Sequence, residues 1–176
     1  MFRNKKYFVM AFLAVMSLVF IGLTGCSKAP TGVVDDNAPQ LLQRNVVAAK
    51  LFDDSYYVEQ VVKAAEGAVI NLLDVEMVIP PGAIDNDTLF SIEIPNPSIY
   101  ADHFGTDGLV FDEPVRITMS YRDAILDGVN EISIKMAWFD ERSGEWDVIE
   151  CELNQEEMLV TAFVSHFSAY ALITDE

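Results

Sequence analysis

The sequence predicts an all-β fold, an antiparallel β-sandwich, for the part of the chain that follows an apolar N-terminal leader. The clearest evidence is the run Pro114–Tyr121, "PVRITMSY", in which apolar and polar residues alternate. Such period-two alternation is typical of a strand with one buried and one solvated face. Turn signals separate several similar short runs, and no segment has convincing helical periodicity. Regularly spaced short strands of this kind indicate a sandwich or barrel.

The N-terminus has the organisation of an export signal. Arg3, Lys5 and Lys6 precede an apolar run from residue 7 to residue 23, and "LTGC" ends at Cys26. A basic n-region and an apolar h-region define a secretory signal, and "LTGC" resembles the bacterial lipoprotein box. We therefore predict a signal peptide over residues 1–25 and lipidation of Cys26, with palmitate-type acyl chains. The alternative is a retained membrane anchor, because about 17 apolar residues lie at the lower limit for spanning a bilayer.

Either alternative places the rest of the chain outside the cytoplasmic membrane, with the membrane itself as a partner. More than one acyl chain on Cys26 makes the anchoring stable, since a single chain binds only marginally. Ser27 is not the Asp that retains lipoproteins at the inner membrane in bacteria with two membranes. By that resemblance, Ser27 favours the outer membrane if the host has one.

The predicted mature protein is strongly acidic. The leader holds three of the 11 basic residues and none of the 28 acidic ones, which leaves a net charge of −20. Binding to phosphates depends on Lys and Arg, so this balance argues against a nucleic-acid partner. It also argues against a chain that lies flat on anionic lipid. Besides Cys26, only Cys151 remains, and its alternation with Ile149 and Leu153 predicts a buried free thiol that acts as a small apolar residue.

Three segments are predicted: the signal peptide over residues 1–25, the lipidated cysteine and a tether over residues 26–55, and a folded domain over residues 56–176. Two prolines, a glycine and an Asp-Asp-Asn cluster between residues 27 and 40 indicate the tether. Within it, residues 41–52 fit either a short helix or an early strand. The domain contains about nine predicted strands, which begin near Tyr56, Ala68, Val75, Thr88, Pro114, Glu131, Glu145, Met158 and Ser168.

Three stretches in order resemble the ZU5 family. They are "IPPGAI" (residues 79–84), "FGTDGLVFDEPVRITMSY" (residues 104–121) and the terminal "HFSAY" (residues 166–170). The resemblance covers residues 66–173 and implies a β-sandwich that makes protein contacts. Two features depart from the family: the glycine pair at the domain start is reduced to Gly67, and neither ankyrin repeats nor a death domain accompany it. The family's spectrin-type and death-domain partners are therefore not expected, and the expected partner is an unidentified envelope protein.

The resemblance also raises a hypothesis of self-cleavage, because some ZU5 proteins cut themselves within His-Phe-Ser. His166 would act as the base, Ser168 as the nucleophile and the Phe167 carbonyl as the target of an N-to-O acyl shift. Strand parity argues against this. One strand through residues 163–173 puts Phe163, Phe167, Ala169, Ala171 and Ile173 on a common apolar face, and regular strand geometry does not activate a peptide bond. The preferred interpretation is a closing strand.

Other chemistry receives little support from the sequence. Asp85-Asn86-Asp87 and the segment from Asp102 to Asp107 could offer oxygens to calcium, but neither has the ligand spacing of an EF-hand. His103 is expected in a loop, without a second His or Cys at ligand spacing. No motif of a hydrolase, metalloprotease, redox enzyme or nucleotide-binding enzyme is present. We therefore expect a non-enzymatic interaction or structural module without a cofactor or metal, and self-processing is the alternative.

Overall fold

The computed structural model of the chain describes residues 39–45, 47 and 56–174. These residues form two antiparallel sheets packed face to face, which confirms the predicted all-β sandwich. The strands are β1 (Gln40–Leu41), β2 (Tyr57–Val62), β3 (Ala68–Leu72), β4 (Val75–Ile79), β5 (Thr88–Glu93), β6 (Ala101–Gly105), β7 (Val110–Ser120), β8 (Lys135–Asp140), β9 (Glu145–Val148), β10 (Cys151–Asn154), β11 (Leu159–His166) and β12 (Ala169–Thr174).

The chain passes repeatedly between the two sheets. The first sheet has the order β2-β5-β6-β12-β8-β9, and β1 pairs with the end of β12. The second sheet has the order β10-β11-β7-β4-β3. The crossover from β11 to β12 therefore links the second sheet to a central strand of the first.

The core is built from the alternating residues that the sequence indicated. Val115, Ile117, Met119 and Tyr121 are each 0% exposed, as predicted for one face of β7. In β5, Phe90 and Ile92 are equally buried. Alternation thus identifies the buried face of β5 and β7, which each keep one solvated face.

The turn after β4 depends on glycine. Pro80 and Pro81 end the strand, since proline supplies no backbone donor to a ladder, and Gly82 follows with φ +83°. Gly67, with φ +67°, lies so close to this turn that a Cβ atom on it would overlap the Ile79 carbonyl oxygen. Gly67 therefore allows the chain that enters β3 to pack directly against the "IPPG" turn.

Several strands differ from the prediction. The run from Glu145 to Leu153 is not one strand, because β9 belongs to the first sheet and β10 to the second. Cys151 is half-buried against the core, and its Sγ accepts a hydrogen bond from the Met136 N–H at 3.3 Å. Ile132 does not continue the β8 alternation, because it lies in a 3₁₀ turn and is 69% exposed. The strand β6 was not predicted, and of β1 only Leu41 falls in the segment 41–52 for which a short helix and an early strand were the two alternatives.

The folded domain begins earlier than residue 56. Leu42 is 1% exposed, and its N–H donates to the Leu172 carbonyl at 2.8 Å. Arg44 is 4% exposed, and its backbone forms an isolated antiparallel β-bridge with Ala124. Residues 39–45, which the sequence analysis assigned to the tether, are therefore packed on the sandwich, and the described part of the ambiguous segment 41–52 is extended up to Asn45.

The predicted signal peptide, Cys26 and the tether up to residue 38 lie outside the described residues. Within the described ranges, no helix has both the length and the apolar character needed to cross a bilayer.

Candidate functional site

The His166-Phe167-Ser168 triplet lies at the crossover between the two sheets. His166 is the last residue of β11, Ser168 lies in a bend, and β12 begins at Ala169. The pairing of β11 with β7 is also irregular between Val164 and His166. The single strand through residues 163–173 is therefore wrong, since the register is interrupted and the chain then changes sheet. The separate strand starts predicted near Met158 and Ser168 agree with β11 and β12.

The same interruption explains an error in the predicted core. Phe163 was expected to share an apolar face with Phe167, yet Phe163 is 68% exposed and Phe167 is 3% exposed. In β11 the buried residues are Val160, Ala162 and Val164. A strand's period of two cannot be carried across an irregular crossover, because one extra residue exchanges the two faces.

Phe167 anchors the crossover in an aromatic cluster. Its ring meets Phe111 edge to face with centroids 4.7 Å apart, and Phe90 in the same manner at 5.1 Å. Phe104 lies at 6.2 Å. Edge-to-face pairs add to the energy of burying such rings, so the residue before the candidate scissile bond is held firmly in place.

Backbone hydrogen bonds fix both sides of the Phe167–Ser168 peptide. The Phe167 N–H donates to the Leu109 carbonyl at 3.0 Å, and the Ser168 carbonyl accepts from the Phe104 N–H at 3.2 Å. The Ser168 hydroxyl donates to the Phe139 carbonyl at 2.9 Å. In this arrangement the hydroxyl is engaged with β8, so an attack on the Phe167 carbonyl requires Oγ to leave that partner.

His166 lies beside Trp138, with ring centroids 4.8 Å apart and the rings nearly perpendicular. The His166 carbonyl accepts a hydrogen bond from the Tyr170 hydroxyl at 2.7 Å. Burial raises the pKa of that hydroxyl far above its usual range, so Tyr170 acts as a neutral donor. His166 and Ser168 therefore both contact one end of β8, through adjacent residues Trp138 and Phe139.

The triplet borders a cleft of about 600 Å³ at this end of the sandwich. The segment before β7, the turn between β8 and β9, and the crossover surround it. Its charged side chains are three carboxylates and one guanidinium besides the imidazole of His166. The lining residues are Asp107, Gly108, Val110, Trp138, Phe139, Asp140, Glu141, Arg142, His166, Phe167 and Ser168.

A buried ionic cluster, which sequence reasoning missed, forms around Arg44. The guanidinium makes a bidentate pair with Asp74, with Nε–Oδ2 at 3.0 Å and Nη2–Oδ1 at 3.2 Å. Nη1 also donates to the Ile99 carbonyl at 2.9 Å, and the guanidinium stacks 4.2 Å from the centre of the Tyr100 ring. This cluster could not be recognised from the sequence, because its residues are far apart along the chain and Arg44 lay within the predicted tether.

Asp102 completes this cluster from β6. It is 0% exposed, neither of its oxygens accepts a hydrogen bond from a described residue, and Oδ1 lies 3.9 Å from Arg44 Nη2. Burial raises the pKa of Asp102 to about 8, the nearby Arg44 charge lowers it in part, and Asp74 raises it further. Burial therefore favours the protonated, uncharged form of Asp102.

The two predicted acidic loops are placed differently from one another. Asp87 accepts from the Ala64 N–H at 3.1 Å and pairs with Lys63 at 3.7 Å. The second segment is not a loop up to Gly105, since β6 runs from Ala101 to Gly105. The expectation that His103 lies in a loop is therefore wrong. Across residues 39–45, 47 and 56–174, no three His, Cys, Asp or Glu side chains converge in a way that could hold a metal ion.

Comparisons with known proteins give no assignment: no protein-family model matches the sequence, and no curated protein matches it significantly. The ZU5 resemblance therefore stays a prediction that rests on the three quoted stretches. What is established is an antiparallel sandwich with a cleft at the His-Phe-Ser crossover and a buried Arg44 cluster.

Proposed function

We propose that this protein is a bacterial lipoprotein whose Cys26 carries the lipid and whose sandwich is a non-enzymatic interaction or structural module of the cell envelope. The observation that carries the anchorage is the order of the leader: basic residues, an apolar run, small residues and then Cys26. Ser27 supports the outer membrane as the destination in a host that has one.

Anchorage is tested by replacing Cys26 with Ser in the full chain. We expect the parent to fractionate with membranes and to lose residues 1–25, and its N-terminal peptide to carry a thioether-linked lipid by mass spectrometry. Cys26→Ser should lose the lipid. Cys151→Ser is the matched control, since that thiol lies in the folded domain, and it should remain lipidated. A Cys26→Ser protein with the same processing and the same lipid mass contradicts the proposal.

The interaction role is supported by the outer face of the second sheet. Phe163 projects from this face at 68% exposure, among polar neighbours that include Arg116 and Thr161. An isolated exposed aromatic side chain on a polar surface suits a contact residue, since aromatic residues are enriched where proteins bind each other.

The measurement is capture of envelope proteins by the immobilised protein. Phe163→Ser should reduce the amount of the captured partner about tenfold or more, in line with the loss of one well-buried contact residue. Ile132→Ser is the control, because Ile132 is 69% exposed but lies in the 3₁₀ turn before β8. Equal loss with both variants, or with neither, argues against Phe163 as the contact.

Self-processing at Phe167–Ser168 is a second candidate, favoured by the irregular crossover and by the cleft that contains both His166 and Ser168. The Ser168 oxygen would attack the Phe167 carbonyl carbon while His166 takes its proton. The C–N bond would break as the ester forms, and the nitrogen of Ser168 would take the proton held by His166 and leave as a free amine. Water would then hydrolyse the ester, leaving a carboxylate on Phe167 and restoring the hydroxyl.

The test is intact mass under denaturing conditions. β12 pairs with β1, β6 and β8, so a fragment of residues 168–176 is expected to remain bound in native solution. Self-cleavage predicts two masses that sum to the parent plus one water, and a single parent mass for Ser168→Ala. Only full-length material in the parent excludes the reaction, and cleavage that persists in Ser168→Ala identifies a contaminating protease.

A further inference from the structure

Among the four strands that end the strand orders of the two sheets, β3 alone has no charged residue. These four are β2, β9, β10 and β3, and the two-residue β1 lies beside the path of the first sheet. The first three carry acidic residues within the strand, namely Glu59 in β2, Glu145 and Asp147 in β9, and Glu152 in β10. The strand β3, "AVINL", has no charged residue. Charges on edge strands prevent pairing with other chains, and an uncharged edge permits it.

The hydrogen-bond pattern shows which backbone groups this edge presents. The Asp74 carbonyl accepts a hydrogen bond from the Ser120 N–H at 2.8 Å, so residue 74 is in a hydrogen-bonded pair with β7. Because such pairs recur at every second residue, even-numbered residues of β4 form backbone hydrogen bonds with β7 and odd-numbered ones with β3. The partners of those odd-numbered residues are Ala68, Ile70 and Leu72. Val69 and Asn71 therefore direct their N–H and C=O groups away from the sheet, and no described residue hydrogen-bonds to them.

This edge is also the place where the acidic excess is locally balanced. Glu76, which faces Asn71 on β4, pairs with Arg116 at 2.9 Å. Asp74, in the turn after β3, forms an ion pair with Arg44. Just before β3, Lys63 forms an isolated β-bridge with Gly67 and an ion pair with Asp87. These ion pairs lie close to β3 and reduce the like-charge repulsion that two acidic molecules would experience at this edge.

We propose that β3 is a self-association edge, at which a second copy of this chain adds its own β3 in antiparallel orientation. The two-fold axis passes between the Ile70 residues, so that Val69 of each copy pairs with Asn71 of the other. Each of these two pairs exchanges both backbone hydrogen bonds, and the result is a closed, isologous dimer with a continuous ten-stranded sheet. This inference is independent of the proposed lipidation and of self-cleavage.

The register is tested by disulfide trapping of the full chain, in detergent and in a Cys151→Ser background. Opposed residues in a hydrogen-bonded pair have Cα atoms about 5.5 Å apart, within the range that a disulfide spans. A mixture of Val69→Cys and Asn71→Cys proteins should give several-fold more cross-linked dimer on mild oxidation than either protein alone. The yield should rise with NaCl, because salt screens the repulsion between two acidic molecules.

The matched control is Val61→Cys mixed with Glu59→Cys, on the edge strand β2. Val61 is 60% exposed and Val69 is 53% exposed, so the thiols are similarly accessible. Val69→Lys, examined by sedimentation without oxidation, should weaken the dimer about tenfold or more. The proposal is overturned if the Val69/Asn71 mixture gives no excess over the single variants, if the β2 pair cross-links equally well, or if the parent sediments as a monomer at high protein and salt concentrations.

Discussion

At the scale of single residues, Gly67 and Asp102 carry the most specific structural demands. Gly67 combines a left-handed backbone with a position at which a Cβ atom would overlap the backbone of Ile79 and Pro80. Asp102 combines complete burial with a carboxyl group that no described residue hydrogen-bonds. Both should respond to conservative substitutions far more strongly than their neighbours.

Gly67→Ala should destabilise the domain by at least about 2 kcal/mol more than Gly82→Ala, as measured by chemical denaturation. Both glycines have positive φ, so each substitution costs about 1–2 kcal/mol of backbone strain. Only at Gly67 does the new methyl group meet backbone atoms, whereas the space at Gly82 is open. Equal losses for the two variants contradict the close approach of Gly67 to the turn.

Asp102 should make the domain less stable as pH rises. Burial raises its pKa in the folded state to about 8, above the usual aspartate value of 3.8 expected in the unfolded chain, so the folded state binds the additional proton between these pH values. The free energy of unfolding therefore falls from about pH 4 to about pH 8, by several kcal/mol at most. The charged groups that act on the Asp102 carboxyl are the Arg44 guanidinium and the Asp74 carboxylate.

Asp102→Asn should flatten this pH dependence, because the amide has the same shape and does not ionise. Denaturation midpoints at pH 5, 6.5 and 8 measure the effect, and Asp127→Asn is the control in an exposed turn. A parent and an Asp102→Asn variant with parallel pH profiles show that Asp102 is already ionised in the folded state.

At the scale of elements, the N-terminal segment 39–45 changes the limits of the domain. Leu42→Ala should cost about 2–4 kcal/mol of stability, since a fully buried leucine leaves a cavity. Val47→Ala should change stability by less than about 0.5 kcal/mol, because Val47 is 77% exposed. If the two variants unfold at the same denaturant concentration, the segment does not contribute to the core.

The sequence predicts those strands whose buried residues alternate locally. It does not predict the strands that are defined by pairing with distant parts of the chain. β5 and β7 were recognisable because their buried residues recur at every second position. The single strand assigned through the His-Phe-Ser triplet was wrong, since only the three-dimensional crossover shows where β11 ends. The strand β1 could not be found, because two residues carry no period and its pairing partner lies more than 130 residues away. The cleft residues from the β8–β9 turn join the triplet only in the folded chain.

At the scale of the whole molecule, the acidic net charge of the chain should limit stability at low salt. Self-repulsion among 28 acidic residues opposes compaction. Raising NaCl from about 0.01 to 0.15 M shortens the screening length from about 30 to about 8 Å, so the thermal midpoint should rise. Near pH 4, where many carboxylates take up protons, the same change in salt should have a much smaller effect. A midpoint that falls with salt at pH 7 indicates that the ion pairs outweigh the repulsion.

If Cys26 carries the proposed lipid, the placement of Arg44 has a mechanical consequence. Only 12 residues lie between Cys26 and Pro39, and a fully extended chain of that length spans at most about 45 Å. A pull on the proposed anchor would reach the domain through the short pairing of β1 with β12. Next along the chain, Leu42 is buried. Arg44 then donates hydrogen bonds to the Asp74 carboxylate and to two backbone carbonyls. The ionic cluster would therefore resist the pulling force before that force reaches β2 and the rest of the sandwich.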